Sequence, residues 1–196
     1  LLQARWRAAD LDWALQLADL LLVRFEDADA GGFFFTADDH AELLQRPKGF
    51  ADESVPAGNG VAVLALQRLG HLVGDARLLA AAERTLRAAW PAIGRLPYAH
   101  PSLLLALADY LTPPSILVLR GPTAELAAWQ TAAREHGDAT RLDFAIPDDV
   151  DQLPGALAAR AAHGGVTAYL CRGTSCEAPV TRLADLAGRL GANRLE

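Results

Sequence analysis

The chain has 196 residues, 52% of them hydrophobic and 21% charged, with 18 basic residues against 24 acidic ones and a net charge of −6. That balance excludes a disordered chain, and two cysteines cannot staple a chain of this length. No basic stripe is present, so no nucleic-acid partner is expected. Asp, Arg or His interrupts every apolar run before it could span a bilayer.

The first segment predicts a helix. Leu11, Leu15, Ala18, Leu22 and Phe25 recur at steps of four and three, one face of a 3.6-residue period. Gly31 and Gly32 then permit a tight reversal, and Phe33, Phe34 and Phe35 favour a short extended piece. Asp38 or Asp39 can cap a short helix through Leu44, closed by Arg46-Pro47. Residues 49–60 read as a loop. The helix after it carries Val61, Leu64, Ala65, Leu69 and Leu72 and is apolar nearly all round, so it should be buried on most sides. Gly74-Asp75 has the chemistry of a stop followed by a cap. It introduces a half-exposed helix over about 76–90, with Leu79, Ala82, Leu86 and Ala89 inward. Pro97 to Leu111 makes one more helix. An inner helix alternating with an outer one is the pattern of an α/α toroid or solenoid.

Thr112-Pro113-Pro114 is the best boundary, because consecutive prolines stop a helix and stiffen a linker. The predicted domains are helical hairpins over 1–111, the linker 112–114, and a small α/β part over 115–196. In that last part, strands at 116–119, 142–146 and 166–171 alternate with helices at 123–136, 148–163 and 183–190. Such alternation predicts a parallel sheet.

The densest chemistry lies in residues 46–60, where Arg46, Lys48, Asp52, Glu53, Ser54 and Asn59 precede the start of the most buried helix. Helix N-termini present unpaired N–H groups. Asp52 and Glu53 are the candidate acid and base, and Asn59 the candidate hydrogen-bonding group at a cavity floor. Arg46 and Lys48 would orient the loop, and Phe35 could stack on a sugar ring. In the purely structural alternative, Ser54 caps the helix, Asp52 pairs with Arg46 or Lys48, and Asn59 satisfies loop backbone. Asp27 to Gly31 matches only the start of a calcium loop, since Asp38 stands where the bidentate Glu belongs, so no metal is expected. His40 and His100 read as surface or capping residues. Cys171 and Cys176 form C-x4-C, neither a redox C-x-x-C nor a complete zinc site. They read as free thiols, with a reversible disulfide as the weaker alternative. Gly121-Pro122-Thr123 lacks the glycine spacing and lysine of a nucleotide loop, so no cofactor is expected.

Gly31-Gly32-Phe33-Phe34-Phe35-Thr36, Arg46-Pro47-Lys48 and Asp52 to Asn59 come in close order. With the tail from Tyr169 to Thr181, they make the chain resemble the C-terminal part of the spermatogenesis-associated, thioredoxin-domain-containing family. Where that family usually has Asp-x-Ala-x-Pro-Ser-Gly-Asn, this chain carries Ser54 and Ala57. The resemblance implies a thioredoxin-like domain upstream and a six-hairpin α/α toroid similar to N-acylglucosamine 2-epimerases and glycosidases. It also implies a sugar ligand in the toroid cavity. The rival expectation is a non-catalytic scaffold that serves the thioredoxin-like domain. Leu1 falls in mid-pattern and methionine is absent, so the chain is expected to be a piece of a longer protein, with Leu195-Glu196 a non-native end. Arg5, Arg7, Asp10, Asp12 and Asp19 break any secretory leader, and the expected location is cytoplasmic.

Overall fold

The computed structural model describes residues 1–39, 45–138 and 140–192. The short helix expected to end at Leu44, and His40 with it, fall in residues 40–44, outside the described residues. Helices dominate, and a small mixed sheet follows them in the chain. Among the described residues no helix is long and apolar enough to cross a membrane. Two compact units emerge. One takes Trp13–His71 with Asp75–Pro113, and the other takes Leu1–Asp12, Leu72–Gly74 and the chain from Pro114 on.

The first unit is helical. It holds most of α1 (Ala8–Arg24) and α2 (Gly58–Val73), together with α3 (Ala76–Arg95) and α4 (Pro101–Leu111). Its core joins Ala18, Phe33, Val63, Leu66, Leu78, Ala82, Leu86, Ile93, Leu103 and Ala106. The Gly74-Asp75 junction forms as the sequence predicts. Gly74 sits at φ +72, in the left-handed region glycine tolerates, and Asp75 accepts the Arg77 N–H at 2.8 Å. Helix α3 runs on past Pro91 to Arg95, and Pro97–Ala99 is a single 3-10 turn before α4. Val61 faces solvent. The inward line of α2 is instead Val63, Leu66 and Gly70, because Gly60 turns toward α4. A Cβ at Gly60 would stand 2.0 Å from Ser102 Oγ and 2.6 Å from Ser102 Cβ, so only glycine allows this approach.

The second unit carries β1 (Ser115–Gly121), α5 (Thr123–Glu135), β2 (Leu142–Pro147), β3 (Thr167–Arg172), β4 (Ser175–Cys176) and α6 (Leu183–Ala192). Strand order is β2-β1-β3-β4. Strand β1 runs parallel to β2 with Val118 opposite Phe144, and antiparallel to β3 with Leu117 opposite Leu170. Leu117, Leu119, Ala168 and Leu170 pack with Leu126 and Trp129 of α5 and Leu186 and Leu190 of α6.

The expected all-parallel sheet is therefore corrected to a mixed one, and the expected helix at 148–163 to a single 3-10 turn at Gly155–Ala159. The two corrections share a cause. A parallel return needs a crossover, usually a helix. Here Pro154 cannot donate, and Gln152 and Gly155 hold positive φ of 57° and 52°, which breaks any helix. The segment is instead clamped by buried Arg120, whose guanidinium donates to the carbonyls of Ile146, Pro147, Val150 and Arg160.

Candidate functional site

Asp52 sits in the loop ahead of α2, and its carboxylate ties together the starts of two helices. Oδ1 accepts the Ala57 N–H at 2.8 Å and the Ser102 hydroxyl at 2.5 Å. Oδ2 accepts the Ser102 N–H at 2.7 Å. Ala57 immediately precedes α2, and Ser102 lies in the first turn of α4, where N–H groups lack intrahelical acceptors. Burial pushes the Asp52 carboxyl up, but the Ser102 hydroxyl and the two amides outweigh it and hold it below the usual carboxylate range. Asp52 is therefore ionised at neutral pH and engaged on both oxygens. Its partner is neither Arg46 nor Lys48, which corrects that pairing. His100, read as a surface or capping residue, stands at the cap position between the 3-10 turn and α4 but is buried there, with Nδ1 2.9 Å from the Leu96 carbonyl.

Asn59, 4% exposed in the first turn of α2, bonds to Phe33 as a strand would. Its Oδ1 accepts the Phe33 N–H at 2.7 Å, and its Nδ2 donates to the Phe33 carbonyl at 3.0 Å and the Gly49 carbonyl at 2.9 Å. Both of its donors are used. The expected reversal at Gly31-Gly32 forms: Asp27 N–H donates to Gly32 O, Phe34 N–H donates to Phe25 O, and Glu26 bridges Phe33.

Arg46 donates to the carbonyls of Thr36 and Arg24 and lies 4.1 Å from the centre of the Phe34 ring. Lys48 pairs with Asp27 at 2.6 Å and donates to the Gly31 carbonyl. The Ala30 amide and Lys48 hold the Asp27 carboxyl below its ordinary value. Asp27 thus serves a turn and a lysine, and among the described residues no group of three or more His, Cys, Asp or Glu could hold a metal.

Glu53 is exposed, and Phe35 is 83% exposed. A cleft of about 250 Å³ is lined by Phe33, Phe34, Phe35, Gly49, Asn59 and α2 residues among others. The lining includes Asn59 and Phe35 from the predicted set and leaves out Asp52, Glu53, Arg46 and Lys48. Sequence reading missed Ser102, whose partner lies fifty positions away. Only its place after Pro101 at a helix start marks it.

The two cysteines form a disulfide, which overturns the reading of free thiols. Strand β4 pairs back on β3 with Cys171 directly opposite Cys176, and the turn between them uses Gly173 at φ +58.

No protein-family model matches the chain. It is 27% identical over 194 residues to spermatogenesis-associated protein 20 of Homo sapiens, and 28% identical over the same length to its namesake in Rattus norvegicus. Each alignment covers 95% of this chain and 25% of the relative, so the chain spans about a quarter of the length of the curated relatives it matches.

Proposed function

From this kinship with the spermatogenesis-associated, thioredoxin-domain-containing family, we propose that the chain is a non-catalytic helical scaffold within a longer protein. Further helices of that protein would pack on its α1. The supporting observation is a second apolar stripe on α1. Ala18, Leu22 and Phe25 pack in or against the core of the helical unit. Trp13, Leu17 and Leu20, at steps of four and three on the other side, are 61%, 45% and 50% exposed, with Val23 beside them at 71%. A helix apolar on two sides has two packing partners. A parent of the relatives' length has ample chain to supply the second, as the next hairpin of an α/α toroid. The polar groups of residues 46–59 support the same reading, since backbone and neighbouring side chains of this chain already engage Asp52, Asn59, Arg46 and Lys48.

The double variant Trp13→Gln with Leu20→Gln tests it. In this chain alone the unfolding midpoint should stay within about 2 °C, as for ordinary surface changes. In the longer protein the same pair should cost about 3–6 kcal/mol, the loss of two buried apolar side chains, read as a lower denaturant midpoint at unchanged slope. An unchanged parent would sink the scaffold reading.

The second reading, a sugar site, is favoured by exposed Phe35 at the mouth of the cleft. A rise of the parent's midpoint in millimolar N-acetylated sugar, abolished by Phe35→Ala, would install it instead.

A further inference from the structure

The Cys171–Cys176 bond has little to do as a staple. Its cysteines are separated by five positions in a hairpin already held by the β3–β4 ladder and its turn, and the constraint a disulfide places on the unfolded chain shrinks with the loop it closes. The two sulfurs also stand in different surroundings. Cys171 is 4% exposed within the sheet, whereas Cys176 is exposed on β4.

A cation waits beside the exposed one. Arg160 is 7% exposed, and its guanidinium donates to the Leu72 carbonyl at 3.4 Å and to Cys176 Sγ at 3.7 Å. No carboxylate pairs with it among the described residues. A buried charge with no counter-ion is costly, and a thiolate at Cys176 would be the anion that compensates it. The other ionisable groups nearby leave this role to the sulfur. Burial pushes the Tyr169 phenol up, so it is neutral. Arg120 donates to the Arg160 carbonyl, and Glu177 is paired with Arg189 at 2.8 Å.

We propose that Cys171 and Cys176 form a thiol–disulfide exchange site for a dithiol, with Cys176 the sulfur attacked and Arg160 the residue that positions and stabilises its thiolate. A thiolate of the dithiol attacks Cys176 Sγ. The Cys171–Cys176 bond breaks, and Cys171 leaves with the bonding pair and takes up the proton that the attacking thiol gave up. The second thiol of the dithiol loses its proton to solvent and attacks its own partner sulfur, expelling Cys176 as a thiolate beside Arg160. The dithiol is oxidised by two electrons to a disulfide, and the cysteine pair is reduced by the same two.

Dithiothreitol is the probe, with iodoacetamide alkylation read at each cysteine by peptide mass spectrometry. The native chain should be reduced without denaturant and keep its circular dichroism spectrum. Alkylation of Cys176 should then show a pH midpoint at least about one unit below the ~8.5 of a free cysteine. Cys171→Ser should show the same low midpoint, Arg160→Lys should retain it, and Arg160→Gln should return it to the ordinary value. If Arg160→Gln does not fold, the Cys171→Ser profile decides alone. Reduction that occurs only on unfolding, or a Cys176 midpoint at or above about 8.5, would overturn the assignment.

Discussion

Replacing Asn59 by alanine should be among the most damaging single changes in the helical unit, costing about 3–5 kcal/mol. The side chain holds the Phe33 amide, the Phe33 carbonyl and the Gly49 carbonyl at once, and each buried polar group left without a partner costs about 1–3 kcal/mol. Phe33 itself belongs to the core, so its backbone cannot turn to water without pulling an aromatic ring out of packing. At about 2–4 °C per kcal/mol, the unfolding midpoint should fall by roughly 6–20 °C. Asn59→Asp should be no milder. It retains an acceptor for the Phe33 amide but points a second oxygen at two carbonyls. Calorimetry or circular dichroism melting reads both variants.

Asp52→Ala should cost about 2–4 kcal/mol. Two helix starts lose an acceptor together, and a helix cap alone contributes about 0.5–2 kcal/mol. Asp52→Asn, which keeps one acceptor oxygen, should lie between that variant and the native chain. The pH dependence has a definite sign. The folded carboxyl titrates below its ordinary value, so its stabilisation is fully present above the unfolded Asp value of about 3.9. It is lost as pH falls through the lower, folded value. The difference in stability between native chain and Asp52→Ala should therefore be flat from pH 8 to about 5 and shrink below about 4. Taking the difference removes the other carboxylates held low by partners, such as Asp27 and Asp75. A carboxylate awaiting a substrate would give the opposite stability result, since its removal relieves an unpaired charge.

What could be read in the sequence was local. The inner face of α1, the Gly74-Asp75 stop and cap, the glycine reversal before Phe33 and, after Pro114, the strands β1, β2 and β3 and the helices α5 and α6 all rest on periodicity or on the conformational needs of one or two residues. What could not be read was long-range. Nothing in the pattern around Asp52 points to Ser102, and nothing around Arg46 points to the Arg24 carbonyl. The outward stripe of Trp13, Leu17 and Leu20 was present as letters, but the pattern ranks faces by apolarity and does not say which face lacks a neighbour. The segment 148–163 read as a helix because its alanines outweighed Pro154 and Gly155, while the clamp that sets its path comes from Arg120 on a different strand. The cysteine pairing depends on the register of the two-residue strand β4, which spacing alone does not specify.

Residue-resolved amide hydrogen exchange on the native chain tests the structural role of Asp52 and Asn59 most directly. The amides of Phe33, Ala57 and Ser102 all donate to side-chain oxygens of Asn59 or Asp52, and Ala57 and Ser102 stand where a helix offers no acceptor of its own. If these side chains hold the fold, all three amides should be protected like the helical core, opening only with the unit as a whole. Exchange near the rate of an unstructured chain at these three positions, with the core still protected, would mean that Asp52 and Asn59 are free for a ligand and would contradict the account.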